Sequence, residues 1–256
     1  MDLPLATRVV ERDLRVFAKL WHAFAFSTFG MPVLFLAAMG LGLGGLVDDR
    51  PGEVQGLSYL HFVTPGLLVA AAMQQAAGES LWPVLGGVKW DHRYDAMVAS
   101  PLSPFDVYIG LQTFVAVRIT ISAAAFLMVA AVLGGLVSPW AVLALPATVL
   151  CALAFAAPLS AYAITRQNDV PFAMIMRLGV MPLFLFSGTF FPISNLPAWS
   201  RPLAWLSPLW HGVELARHAT TADPHALDVV HVIVLVAVVA AGAWAGRWTF
   251  RRRLAQ

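Results

Sequence analysis

Three formally charged side chains, Glu79, Arg118 and Arg177, stand inside long apolar stretches of the sequence. A charge in hydrocarbon is costly, so each must be paired or must face a polar path. With about 1.5 Å of rise per residue, Glu79 and Arg177 fall at similar depths in their segments. A salt bridge between them is the expectation, with direct contact to a substrate as the alternative. Arg118 lies further in and has no acidic neighbour along the chain, which suits it to meet an anionic headgroup.

Other chemistries are poorly supported. His211, His218 and His225 recur every seven residues, whereas metal ligands on one helix usually stand three or four apart, so no metal site is expected. Ser187-Gly188 is not set in a nucleophile elbow, and no histidine on the same helix is placed to activate the serine. H-E-x-x-H is absent. So is a G-x-x-x-x-G-K-[ST] phosphate loop, and the only lysines are Lys19 and Lys89. The chain therefore has no familiar means of binding ATP. The single cysteine, Cys151, sits in an apolar run and is read as a packing residue.

Composition dictates the elements that must hold these groups. With 59% hydrophobic and 12% charged residues, the chain lies far from the globular average and reads as an integral membrane protein. A net charge of +2 gives no footprint for nucleic acid. At about 20 residues per span, 256 residues leave room for about six transmembrane helices and no soluble catalytic domain. The expected class is thus all-α, one polytopic membrane domain over 1–256. Apolar segments fall at 24–47, 60–84, 105–136, 140–164, 171–191 and 226–248. With a cytoplasmic N-terminus, one face holds Arg8, Arg12, Arg15, Lys19, Lys89, Arg93, Arg166, Arg247, Arg251, Arg252 and Arg253. The other holds only Arg50, Arg201 and Arg217. The positive-inside rule then places both termini in the cytoplasm.

Three connecting stretches stand out. Before the first span, Val10, Leu14, Phe17 and Trp21 share one helical face and Arg8, Arg12, Arg15 and Lys19 the opposite one, the pattern of an interfacial helix over 1–23. The charged stretch is too long for a cleaved signal, and no small-residue site follows a short apolar core. Between the second and third spans, 88–104 forms a charged island in which Tyr94, Met97 and Val98 recur at helical spacing. Pro101 stops this turn or two of helix. Ser103 then suits an N-cap, with Pro104 at the first helical position and Asp106 three residues beyond the cap. After the fifth span, 192–225 is dense in aromatics and prolines and suggests short helices dipping into the outer leaflet. Gly40 and Gly44 have the close-packing spacing of membrane helix pairs.

Several of these stretches look familiar together. Phe62-Val63-Thr64-Pro65-Gly66-Leu67 opens the second span, and Arg93-Tyr94-Asp95-Ala96-Met97-Val98-Ala99-Ser100-Pro101-Leu102-Ser103 fills the island. Leu185-Phe186-Ser187-Gly188-Thr189-Phe190-Phe191-Pro192 follows the fifth span, then Ser207-Pro208-Leu209-Trp210-His211-Gly212-Val213-Glu214-Leu215-Ala216-Arg217. Over nearly its whole length the chain resembles the permease subunits of type-2 ABC exporters, in particular the lipo-oligosaccharide branch of NodJ type. The resemblance implies that the island is a coupling helix docking a separate ABC ATPase, with Asp91, Arg93, Tyr94, Asp95, Met97, Ser100, Pro101 and Leu102 at or near the contact. It implies an outer gate around Phe186, Gly188, Phe190, Phe191 and Pro192. Arg118, Glu79 and Arg177 would line or border the substrate path. Two permeases, a homodimer or a pair with a sister chain, would work with two ATPases that carry the ATP and Mg. The setting would be the plasma or inner membrane, with its lipids as neighbours.

Two other function classes compete. An ATP-independent channel or proton-coupled carrier would use Glu79, Arg118 and Arg177, but would usually show more mid-membrane acids or internal repeats. An intramembrane transferase or hydrolase needs a nucleophile and base that the sequence does not assemble.

Overall fold

A computed structural model describes residues 6–25, 34, 37–38, 57–198 and 201–255, leaving out the side chains of 20–25 and 203. Most of the expected first span, with Gly40 and Gly44, lies outside the described residues, as do Arg50 and the side chain of Trp21. The rest is helical, with no strand among the described residues. In chain order the helices are α1 (Ala6–Ala25), α2 (Tyr59–Lys89), α3 (Arg93–Val98), α4 (Pro104–Val132) and α5 (Ala144–Ala163). A short 3₁₀ turn, Pro139–Leu143, leads into α5. Then follow α6 (Val170–Met174), a π-helical stretch Ile175–Val180, α7 (Met181–Phe186), α8 (Arg201–Leu206), α9 (Pro208–Thr221) and α10 (Asp228–Leu254).

Among the described residues, α4, α5 with its 3₁₀ lead-in, and α10 are long and apolar enough to cross a membrane, and 170–186 is a shorter apolar helix. The chain is a multi-pass helical membrane protein. Between such helices the hydrophobic effect gives no drive, so close packing of small side chains must. At the centre, α5 lies against α2, α4, α9 and α10, and buries Ala152, Ala154, Ala156, Ala157, Ala161 and Ala163. Cys151 is fully buried there, as a packing residue.

Buried side chains gather in two layers. One, at the α3 end, centres on Leu81, Leu85, Tyr94, Tyr108, Ile119, Phe172 and Phe250. The other, at the opposite end, centres on Val63, Leu67, Phe126, Cys151, Leu209, Val213 and Leu235. Tyr108 fixes the first layer: its hydroxyl donates to the Ala157 carbonyl at 3.3 Å, and its ring meets Phe250 edge-on at 5.1 Å. One turn along α4, Gln112 donates to Ser160 Oγ at 2.7 Å.

Turn chemistry places α3 and α4 as the sequence expects. Ser103 caps α4 by accepting from the Asp106 amide, and Asp106 accepts from the Ser103 amide at 2.9 Å, a complete capping box with proline at the helix start. Helix α3 begins after His92, whose φ of 47° turns the chain sharply out of α2. Helix α1 packs along α4; among its described side chains Val9 is the most buried, and Val10, Leu14 and Phe17 are half-buried. Its Arg8, Arg12, Arg15 and Lys19 are exposed, as its pattern requires.

Candidate functional site: a charge-lined cavity beside the α3 platform

Helices α1, α2 and α4 and the 176–184 stretch line a cavity of about 950 Å³ that is open on one side. Its walls are apolar, with Leu67, Val115, Phe126 and Phe184 among them. Its polar lining comprises Arg12 and Asp13 from α1, Gln74, Gln75 and Glu79 from α2, Asp91, Arg93, and Arg118 and Ser122 from α4. An amphipathic molecule could place its head near these groups and its apolar part along the walls.

The intramembrane charges pair differently from the depth-based expectation. Glu79 forms its salt bridge with Arg118, at 2.9 Å between Oε1 and Nη1, both side chains being largely buried. Gln75 also donates to Glu79 Oε1 at 2.9 Å. The rings of Phe17 and Phe114 lie 5.1 and 5.9 Å from the Arg118 guanidinium carbon. Arg118 is therefore a structural partner of Glu79 as well as a cavity wall. Side-chain direction explains the correction. Helix α4 runs away from the α3 end and α2 runs toward it, and each side chain leans toward its own helix N-terminus. The long Arg118 chain thus reaches back and Glu79 reaches forward, closing a backbone offset of about 6 Å.

Arg177 does not join this pair. It lies within the π-helical stretch, where the wider turn moves side chains off the α-helical azimuth. There it shares an exposed face with Met174, Leu178 and Met181. No ion pair links Arg177 to an acid among the described residues.

At the cavity rim, Arg93 donates to the Pro83 carbonyl at 3.2 Å and to Tyr94 Oη at 3.0 Å. Tyr94 is buried against Gly87, with the Phe250 ring 6.2 Å away. Tyr94 thus anchors α3 inward, while Met97 and Leu102 are half-buried. Asp91, His92, Asp95, Ala96, Ser100 and Pro101 form the free face. Asp13, from α1, sits in the field of Arg93. Burial holds its carboxyl above the ordinary aspartate range, against the pull of Arg93 and Arg12. Burial likewise pushes the Tyr94 hydroxyl up.

At the opposite end, the other three stretches that carry the resemblance, 62–67, 185–192 and 207–217, converge. Arg217 of α9 donates to the Gly188 carbonyl at 2.7 Å and to Glu214 Oε1 at 2.6 Å. Its guanidinium lies 4.2 Å from the centre of the Phe62 ring. A Cβ on Gly66 would stand 2.6 Å from the Thr189 carbonyl oxygen, so only glycine admits the loop this close to α2. Gly188 has φ +82°, another demand that glycine meets freely. Phe190 packs edge-on against Phe184 at 5.2 Å, and Phe191 against Phe186 at 6.4 Å. His211 is hydrogen-bonded to His231 at 2.7 Å between Nδ1 atoms, and His218 to Asp228 at 2.5 Å. His231, Asp228 and Glu214 join this cluster without a motif that marks them; Glu214, Arg217 and His218 within one stretch of helix are the signal the sequence offers.

A bundle of apolar helices around an amphipathic cavity, with a rigid polar platform at one end, defines a membrane transport protein. The ABC-2 type transporter family matches residues 6–220, and the chain belongs to that family as a permease. Its relatives include Nodulation protein J of Rhizobium leguminosarum bv. viciae, 29% identical over 226 residues that cover 87% of this chain and 85% of the relative. Nodulation protein J of Rhizobium meliloti (strain 1021) is 24% identical over 248 residues, covering 96% and 92%. The inner membrane transport permease YadH of Escherichia coli (strain K12) is 22% identical over 205 residues, covering 77% and 75%.

Proposed function

We propose that this chain is the non-catalytic half of an ATP-driven exporter that moves an amphipathic substrate outward from the cytoplasmic side of the inner membrane. The substrate class is lipo-oligosaccharide, glycolipid or hydrophobic drug. ATP and Mg would be held by a separate ABC ATPase that docks on α3, the coupling helix. The observation that carries the reading is α3 itself. Its inner face is fixed by Tyr94, its outer face is free and polar, and Arg93 at its base lines the cavity. A push on α3 is thereby delivered to the walls of the substrate path rather than lost in a soft loop.

Both termini are cytoplasmic in this reading, and 1–23 is the interfacial region to which most of α1 belongs. The 192–225 region is re-entrant, and Phe186, Gly188, Phe190, Phe191 and Pro192 close the outer gate. The full bundle has about six spans. A second permease, the same chain or a sister, faces the exposed stripe around Arg177. A cation at that depth is costly against lipid and acceptable against protein or a polar path. A proton-coupled carrier is the weaker reading, because Glu79 already has its compensating charge in Arg118.

The test is association. The detergent-solubilised chain should copurify with a soluble ATPase, and Asp95→Arg should reduce that association by at least about tenfold through a misplaced charge. Full retention in Asp95→Arg and in Arg93→Ala would remove α3 as the docking element.

A further inference from the structure

We propose that Arg217 is a positioning residue of the outer gate, a latch whose release from the Gly188 carbonyl is required for opening. The proposal rests on the reading of 186–192 as that gate. Loop 187–189 is held from three sides. Ser187 Oγ donates to Ser207 Oγ at 3.1 Å, Thr189 lies against Gly66 of α2, and Arg217 of α9 grips the carbonyl between them. Ser187, Thr189 and Arg217 are all buried.

Of the three ties, Arg217 is the one that can switch. The contact with Gly66 is packing, and the serine pair is a neutral bond. Arg217 instead joins three elements through one rigid fork: the loop by one Nη, α9 by the other through Glu214, and α2 by its π contact with Phe62. Its Nε has no partner among the described residues. A buried guanidinium holds its acceptors tightly while enclosed, and once the loop leaves it must find water, so the closed state is well defined and the open one is hydrated. Glu214 is steadied from its other side by His218, 3.8 Å from Oε2, which is itself hydrogen-bonded to Asp228 of α10. The latch thus takes its bearing from α10, a helix whose far end packs at the α3 platform.

Cys151, the only cysteine of the sequence, supplies a native reporter. Its Sγ lies 3.6 Å from the Pro208 carbonyl, and a Cβ on Gly212 would stand 2.6 Å from it. Displacement of α9 uncovers it. In sealed vesicles that contain the chain and its ATPase, a membrane-impermeant maleimide added outside should leave Cys151 of the wild type protected without nucleotide. Arg217→Ala should raise the labelling rate roughly 10- to 100-fold, the loss of its charge-assisted bonds. Arg217→Lys should fall between, because an ammonium reaches one acceptor and lacks the fork.

A merely structural defect would lower yield yet leave labelling dependent on ATP, whereas loss of the latch makes labelling high with and without ATP. Glu214→Gln, which keeps the shape and removes the charge, should show a smaller rise and decides the matter if Arg217→Ala fails to fold. Wild-type protection in folded Arg217→Ala, or in Glu214→Gln where the alanine variant is lost, overturns the latch. If Arg217→Ala labels fast while the wild type never responds to ATP, the latch stands and the ATP-driven reading falls.

Discussion

Replacing Glu79 by Gln tests the charge pairing most directly. At 2.9 Å and an effective dielectric of about 20, two unit charges attract by roughly 6 kcal/mol, much of it offset by the desolvation of both groups. Removing one partner of a buried pair costs about 3–5 kcal/mol, because the other is left uncompensated. Arg118 would keep the faces of Phe17 and Phe114, together about 1 kcal/mol at partly exposed positions. The expected destabilisation is therefore about 2–4 kcal/mol, a fall in thermal midpoint of roughly 5–15 °C for a chain of this size. Tryptophan fluorescence of the protein in lipid nanodiscs reads this, since the chain has nine tryptophans. Arg118→Gln should cost a similar amount, and the double variant less than the sum by at least about 1.5 kcal/mol. Glu79→Gln with Arg177→Gln should instead add within about 0.5 kcal/mol, as for independent sites. Additive behaviour of 79 with 118, or coupling of 79 with 177, would refute the pairing.

Two further outcomes concern the α3 platform and its neighbour α1. Ser103→Ala removes one half of the capping box and should lower stability by about 1 kcal/mol. It should also weaken ATPase association without changing the exposed face of α3, as a pull-down series will show. Asp13 carries a pH signature. Its docked carboxyl titrates above the ordinary aspartate range, so docking of α1 is favoured when the group is protonated. Protection of α1 from limited proteolysis should rise as pH falls from neutral through that raised value, and level off below the ordinary one. Asp13→Asn should flatten the response, and an unchanged pH dependence in that variant would exclude Asp13 as its source.

Much of this fold can be read from residue order because membrane segments are specified locally. Apolar length sets the spans, and Ser103-Pro104 with Asp106 sets the start of α4 to the residue. Azimuth is a different matter. Depth alone matched Glu79 with Arg177, but which face a side chain occupies depends on the hand of each turn, and the π-helical stretch at 175–180 shifts Arg177 away from α2. The inward turn of Tyr94 was hidden for a related reason. A six-residue helix has too few positions for its pattern to distinguish a seat on α10 from a contact for a partner. The convergence of Phe62, Gly66, Gly188 and Arg217 joins positions more than 100 residues apart, and nothing local in the chain points from one to the others.

The seat of α3 has a consequence for biosynthesis. Tyr94 rests on Phe250, which leaves the ribosome about 150 residues later, roughly 8–30 s at ordinary elongation rates. Until α10 has been inserted, α3 lacks this part of its floor. The six-residue helix α3 thus reaches its final seat on the bundle only once α10 is in place.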